Sequence, residues 1–139
     1  MANEPVWLTA DHLIEFNELE VAATGEPHLL RDLPGLESAL ARPVNHWHYG
    51  EGDVVALAVA LLLGVARNHP FLQGNKRTAF AAADYFLYLN GYELQSEQDS
   101  EELAEFLIDA INGDVSEHYL IEVLGEWVTE GGSKGGVQT

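Results

Sequence analysis

Two segments of helical length, Val54 to Ala66 and Ala79 to Leu89, are apolar almost all round, and the ten-residue loop His69 to Thr78 lies between them. A helix with no polar face belongs at the centre of a domain, so the pair should pack together as the core, with the loop at one end. The first should run from Asp53 to about Asn68. The second should run from a cap at Asn75 to about Asn90, with Gly91 in the stop position.

The flanking sequence also reads as helical. Thr9 suits the N-cap of a helix to about Ala23 that Gly25 ends, with Leu13, Phe16 and Val21 on its apolar face. A short helix is expected from Gly35 to Ala41, closed by Pro43. Ser96 or Ser100 could cap another to about Asn112 and Gly113, and Ser116 a last one to about Glu130. The stretch from Arg42 to Gly52 mixes Pro, Gly and aromatics, and is expected to be an extended loop or small hairpin beside the central loop. The fold class is therefore all-α, one domain over residues 1–130 with a Gly-rich flexible tail over 131–139.

Composition narrows the chemistry. The 139 residues carry 23 acidic and 6 basic side chains, a formal net charge of -17. Such a surface argues against nucleic acid as a partner and favours a basic protein or simple solubility. The absence of Cys excludes thiolate metal sites and cysteine nucleophiles. With no signal-peptide pattern and no apolar run long enough for a bilayer, a cytoplasmic chain with no membrane role is expected.

Against that background, Arg67, Lys76 and Arg77 place half of the cations within eleven positions. Gly74 and Asn75 start the second central helix, where unpartnered N–H groups and the helix dipole favour an anion. Gly74 lets the backbone approach closely, and Lys76 and Arg77 add a point charge and a planar fork. These features fit a phosphate, though a carboxylate stays open. His69, on the opposite lip, can remove a proton near neutral pH, while Pro70 and Phe71 stiffen and anchor the turn.

The segment HPFLQGNKRT resembles the signature of the Fic/Doc family, and Lys76 where many members have Gly puts it nearer the Doc branch. RDLPGLESALARP at Arg31 to Pro43 and AADYFLYLNGYEL at Ala82 to Leu94 are also similar to Doc-type proteins, so the likeness covers roughly residues 6–128. The resemblance implies an all-α bundle, a short flap hairpin or loop, and transfer of a phosphate-containing group from a nucleotide to a protein hydroxyl. In the Doc branch this is phosphorylation from ATP, with Mg²⁺, of translation elongation factor Tu by a toxin held in check by an antitoxin; in Fic relatives it is AMP transfer. By position, His69 would be the general base and Phe71 the core anchor. Gly74 would form the anion hole, Asn75 would orient phosphate or loop, and Lys76 and Arg77 would neutralise phosphates. Val44, Asn45, His46, Trp47 and His48 would be the flap that holds the target as an added strand.

Two residues depart from the pattern. Gln73 stands where the family has the acidic residue that holds Mg²⁺. It could touch a metal through its carbonyl, leave the metal to the nucleotide, or mark slow or lost catalysis, the last giving a non-catalytic binding module. Phe80 stands where AMP-transferring members have a second Arg, which favours phosphotransfer. The family's self-inhibitory motif is absent, so regulation would come in trans. Elsewhere, His46 and His48 would share a face if they lay in a strand, as metal ligands can. His12, His28 and His118 read as surface residues. Asp84 either pairs with a buried Arg or marks a solvent stripe on its helix.

Overall fold

The computed structural model describes residues 3–94, 107, 109–113 and 116–131. Among these residues lie the helices α1 Ala10–Thr24, α2 Leu33–His48, α3 Val54–Asn68, α4 Asn75–Leu89 and α5 Glu117–Glu126, and a two-stranded sheet of β1 Tyr92–Leu94 and β2 Val128–Glu130. Every residue from Val55 to Ala66 is buried, so α3 is the axis around which the domain is built. It packs against α2 on one side and α4 on another, as a helix without a polar face requires.

Local capping sets most boundaries. Thr9 Oγ1 accepts the His12 N–H, and the His12 ring takes the Thr9 N–H in return, so His12 completes a capping box. Asp53 caps α3 and Ser116 caps α5 through side-chain oxygens. Gly25 and Gly91 stop their helices with positive φ. Residues 109–111 are helical and end before Gly113, as expected, whereas Ser96 and Ser100 lie outside the described residues.

Three expectations need correction. Val44, Asn45, His46, Trp47 and His48 are not a loop or hairpin: α2 runs through Pro43 to His48. Proline inside a helix costs about 3 kcal/mol, yet Pro43 continues an apolar stripe of Leu36, Ala39, Leu40 and Trp47 at helical spacing. Pro43 is buried, and Trp47 meets Trp7, which stacks on Phe86 with centroids 5.8 Å apart. That burial, with Arg42 donating to Ala60 O and to Glu117, offsets the break. Next, α5 stops at Glu126 rather than near Glu130, because Val128–Glu130 pair antiparallel with Tyr92–Leu94. Finally, Gly131, assigned to the tail, donates to Gly91 O at 2.8 Å and extends that pairing.

Gly64 is what lets α2 and α3 approach. A Cβ there would stand 3.1 Å from Ala39 Cα and 3.2 Å from Ala39 Cβ. Gly64→Val should therefore destabilise the fold by about 1–3 kcal/mol through overpacking, beyond its helix-propensity cost. Denaturant titration against Gly125→Val, where an added Cβ meets nothing within 4 Å, isolates the packing part.

Candidate functional site

The site begins where α3 ends. His69 follows Asn68 in the left-handed region, φ 49° and ψ 54°, the sole non-glycine with positive φ among the described residues. An L-residue held there costs about 1 kcal/mol or more, so the surrounding contacts must impose it. They do so immediately downstream. Pro70 O accepts from Arg31 N and Asp32 N at 3.0 and 3.1 Å, and Leu72 N donates to Leu29 O at 2.9 Å. Leu30 and Phe71 form an antiparallel bridge between these segments. Phe71 itself is fully buried, as an anchor should be.

Asn75 then closes the turn. Its Oδ1 accepts the Phe71 N–H at 2.9 Å and its Nδ2 donates to Phe71 O at 2.8 Å. The cap of α4 is Gly74, not Asn75, and it makes no side-chain cap hydrogen bond. Asn75 sits one residue inside the helix and orients the loop backbone. Gly74 has φ 73°, and a Cβ on it would lie 3.0 Å from Val21 Cγ1, so both the conformation and the space call for glycine. The first N–H groups of α4 thus open onto a turn with no side chain to cap them.

The two expected cations separate. Lys76 is exposed. Arg77 reaches back to the end of α1, donating to Glu20 O and Thr24 Oγ1, both at 3.2 Å, and to the Glu26 carboxylate. Arg77 therefore ties α4 to α1 in this structure. Its hydrogen bonds hold the Glu26 carboxyl below its ordinary range, with Thr24 assisting. Gln73 is exposed, and its backbone oxygen accepts from Asn17 Nδ2 at 2.8 Å. Phe80 lines an apolar cavity of about 180 Å³ with Leu62, Leu107 and Ile111, and Lys76 and Arg77 lie along the same wall.

The flap residues take no strand edge to this site. Asn45 O, His46 O and Trp47 O accept the N–H groups that close α2, so Val44 to His48 form helix, with no strand edge to which a target could add. His46 and His48, two apart on a helix, point to diverging sides rather than a shared one. Three participants escaped sequence reading: Asn17, Thr78 and His28. Asn17 Nδ2 also donates to Thr78 Oγ1 at 3.1 Å, and its Oδ1 faces His28 Nδ1 at 2.8 Å. Their one local signal was an Asn within α1, a helix read only for its apolar face. His118 is a surface residue beside Glu122, and Asp84 lies on the outer stripe of α4, its carboxyl raised by partial desolvation.

A carboxyl with a lowered folded pKa adds stability that is present above its ordinary 4.5 and lost as pH falls through the lowered value. Melting temperature followed downward through that region should fall more steeply for the native chain than for Glu26→Gln. Identical acid limbs would show that the Arg77 pair carries no stability.

The Fic/DOC family model matches residues 7–87. The chain is similar to a protein named Toxin Doc from Mycolicibacterium smegmatis, 39% identical over 88 residues, covering 61% of this chain and 67% of that protein. It is also similar to Protein kinase doc of Escherichia phage P1, 29% identical over 110 residues, 78% of this chain and 85% of that one.

Proposed function

This chain belongs to the Fic/DOC family, and on that premise we propose that it is the toxin of a toxin–antitoxin pair, transferring the γ-phosphate of ATP to a hydroxyl of a translation factor, elongation factor Tu being the first candidate. The observation that carries this reading is the loop. A histidine forced outward at one end faces the solvent, and a glycine-capped helix start with an exposed lysine lies five residues on. The kinase named among the relatives supports phosphate rather than AMP transfer. So does Phe80, half-buried in an apolar wall where a second phosphate-binding cation would be needed.

In this mechanism the target hydroxyl oxygen attacks the γ-phosphorus while His69 takes its proton. The bond from the γ-phosphorus to the β–γ bridging oxygen breaks, and ADP leaves with that electron pair. The N–H groups at the start of α4 hold the phosphate oxygens, and Lys76 offsets their charge. Arg77 acts by holding α1 against the loop. Divalent metal supplies charge compensation when ATP brings it, but Gln73 offers at most one neutral oxygen, a weak ligand for Mg²⁺. The antitoxin then regulates in trans.

Incubation with γ-labelled ATP, Mg²⁺ and elongation factor Tu should label the factor, and His69→Ala should lower kcat about 10²–10⁴-fold. Label appearing from α-labelled and not γ-labelled ATP would mean AMP transfer instead. Gln73→Glu tests the binding-module alternative that Gln73 raises: an inactive chain made active by that change would show the natural protein to be impaired.

A further inference from the structure

Among the described residues three polar side chains are buried, Asn17, Asn75 and Thr78, and all three converge on the loop. Buried polar groups are costly unless every partner is met, so such a cluster marks a conformation the fold must hold. Asn75 closes the Phe71 turn. Asn17 comes from α1, 56 residues before the carbonyl it binds. Resting on the function proposed above, we propose that Asn17 is the positioning residue of the phosphate loop: it fixes the Gln73–Gly74 peptide so that the Gly74 N–H faces the incoming anion.

The atoms allow one arrangement. Gln73 O can only accept, so the Asn17 atom 2.8 Å away must be Nδ2, which also donates to Thr78 Oγ1. Asn17 Oδ1 is then the atom facing His28 Nδ1, and that ring nitrogen must carry a proton. A neutral ring protonated at Nδ1 and a cationic ring both satisfy this, so the lock holds whether or not His28 is charged. His28 thereby fixes which way the carboxamide faces. Because the peptide is planar and trans, its C=O and N–H point in opposite directions. With Gln73 O drawn in toward α1, the Gly74 N–H is turned away from α1. Without that pin, a glycine at φ 73° has little steric resistance to rotation of its peptide.

The full-length, ¹⁵N-labelled protein titrated with ATP and Mg²⁺, and separately with inorganic phosphate, tests this. In the native chain the Gly74 amide should exchange rapidly when free and shift among the most on binding. Asn17→Asp keeps the shape and still accepts from His28 but cannot donate to Gln73 O, and Asn17→Ser removes both arms. Both should weaken ATP at least about tenfold, the weight of a hydrogen bond lost beside a charged ligand. Nucleotide KM should rise by the same factor. Val59→Ala, which destabilises α3 away from the loop, separates positioning from stability and should keep native affinity. Folded Asn17 variants that bind ATP as the native chain does overturn the proposal. If neither variant folds, the native amide decides: a Gly74 N–H that is protected and unmoved by saturating ATP overturns it, and one that exchanges and shifts sustains it. Binding without γ-phosphate transfer would instead sink the proposed function and leave the loop assignment standing, whereas no response to either anion would remove both.

Discussion

The two hydrogen bonds between the Asn75 carboxamide and the backbone of Phe71 turn a pair of buried helices into a site. They satisfy a donor and an acceptor that are both removed from water, where leaving either unmet costs about 1–3 kcal/mol. That requirement dictates the chain's path between α3 and α4. Phe71 is then held in the core and bridged to Leu30, so the segment before α2 becomes the far wall of the turn. His69 is the residue that absorbs the geometry. Between the end of α3 at Asn68 and Pro70, which is tied to Arg31 and Asp32, His69 makes the connection in the left-handed region, and the imidazole is left exposed.

Electrostatics divide the loop into a structural and an exposed half. Arg77 follows Lys76 directly, yet on a helix consecutive side chains point about 100° apart, so the two cations have different neighbours. Arg77 finds the C-terminal end of α1, where the helix dipole attracts a cation and Glu20 O accepts from it, and Glu26 completes the pair. Lys76 finds solvent. In a chain of net charge -17, the arginine's attraction is satisfied within the fold, and the lysine remains the loop's exposed cation. The local reversal of charge is therefore smaller than the sequence count suggests.

What could be read from sequence follows the range of the interactions. Thr9, Ser116, Gly25 and Gly91 act on backbone within a few residues, so capping rules placed them. The all-α class and the central helix pair followed from two segments with little polar surface. Pro43 misled because a local rule, the missing N–H, lost to burial of the Leu36 to Trp47 stripe, visible only once Trp7 is in place. The sheet escaped because three-residue strands show no alternation and their partner lies over thirty positions away. Asn17, His28 and Glu26 were missed for the same reason: each acts on the loop across the fold, and an Asn in a helix has no periodic signature. The roles of base for His69 and phosphate-facing cation for Lys76 were legible in the loop's own residues, a histidine across a turn from a glycine-started helix bearing cations, and the motif's resemblance added the reaction.

Gln73 brings these strands together. Its side chain is exposed and uncharged, while its backbone oxygen is among the best-held atoms of the loop. The contribution of this position to the turn is therefore independent of the side chain, since the carbonyl is bound whatever residue stands there. A substitution that removed a carboxylate here could leave the loop's shape intact while weakening its hold on a cation, because backbone hydrogen bonds set the one and side-chain charge sets the other. Retention of the fold's geometry around Gln73 is consequently no measure of metal affinity. It does explain how His69, Gly74 and Asn75 keep their arrangement around a neutral residue, with Asn17 holding the peptide that follows it.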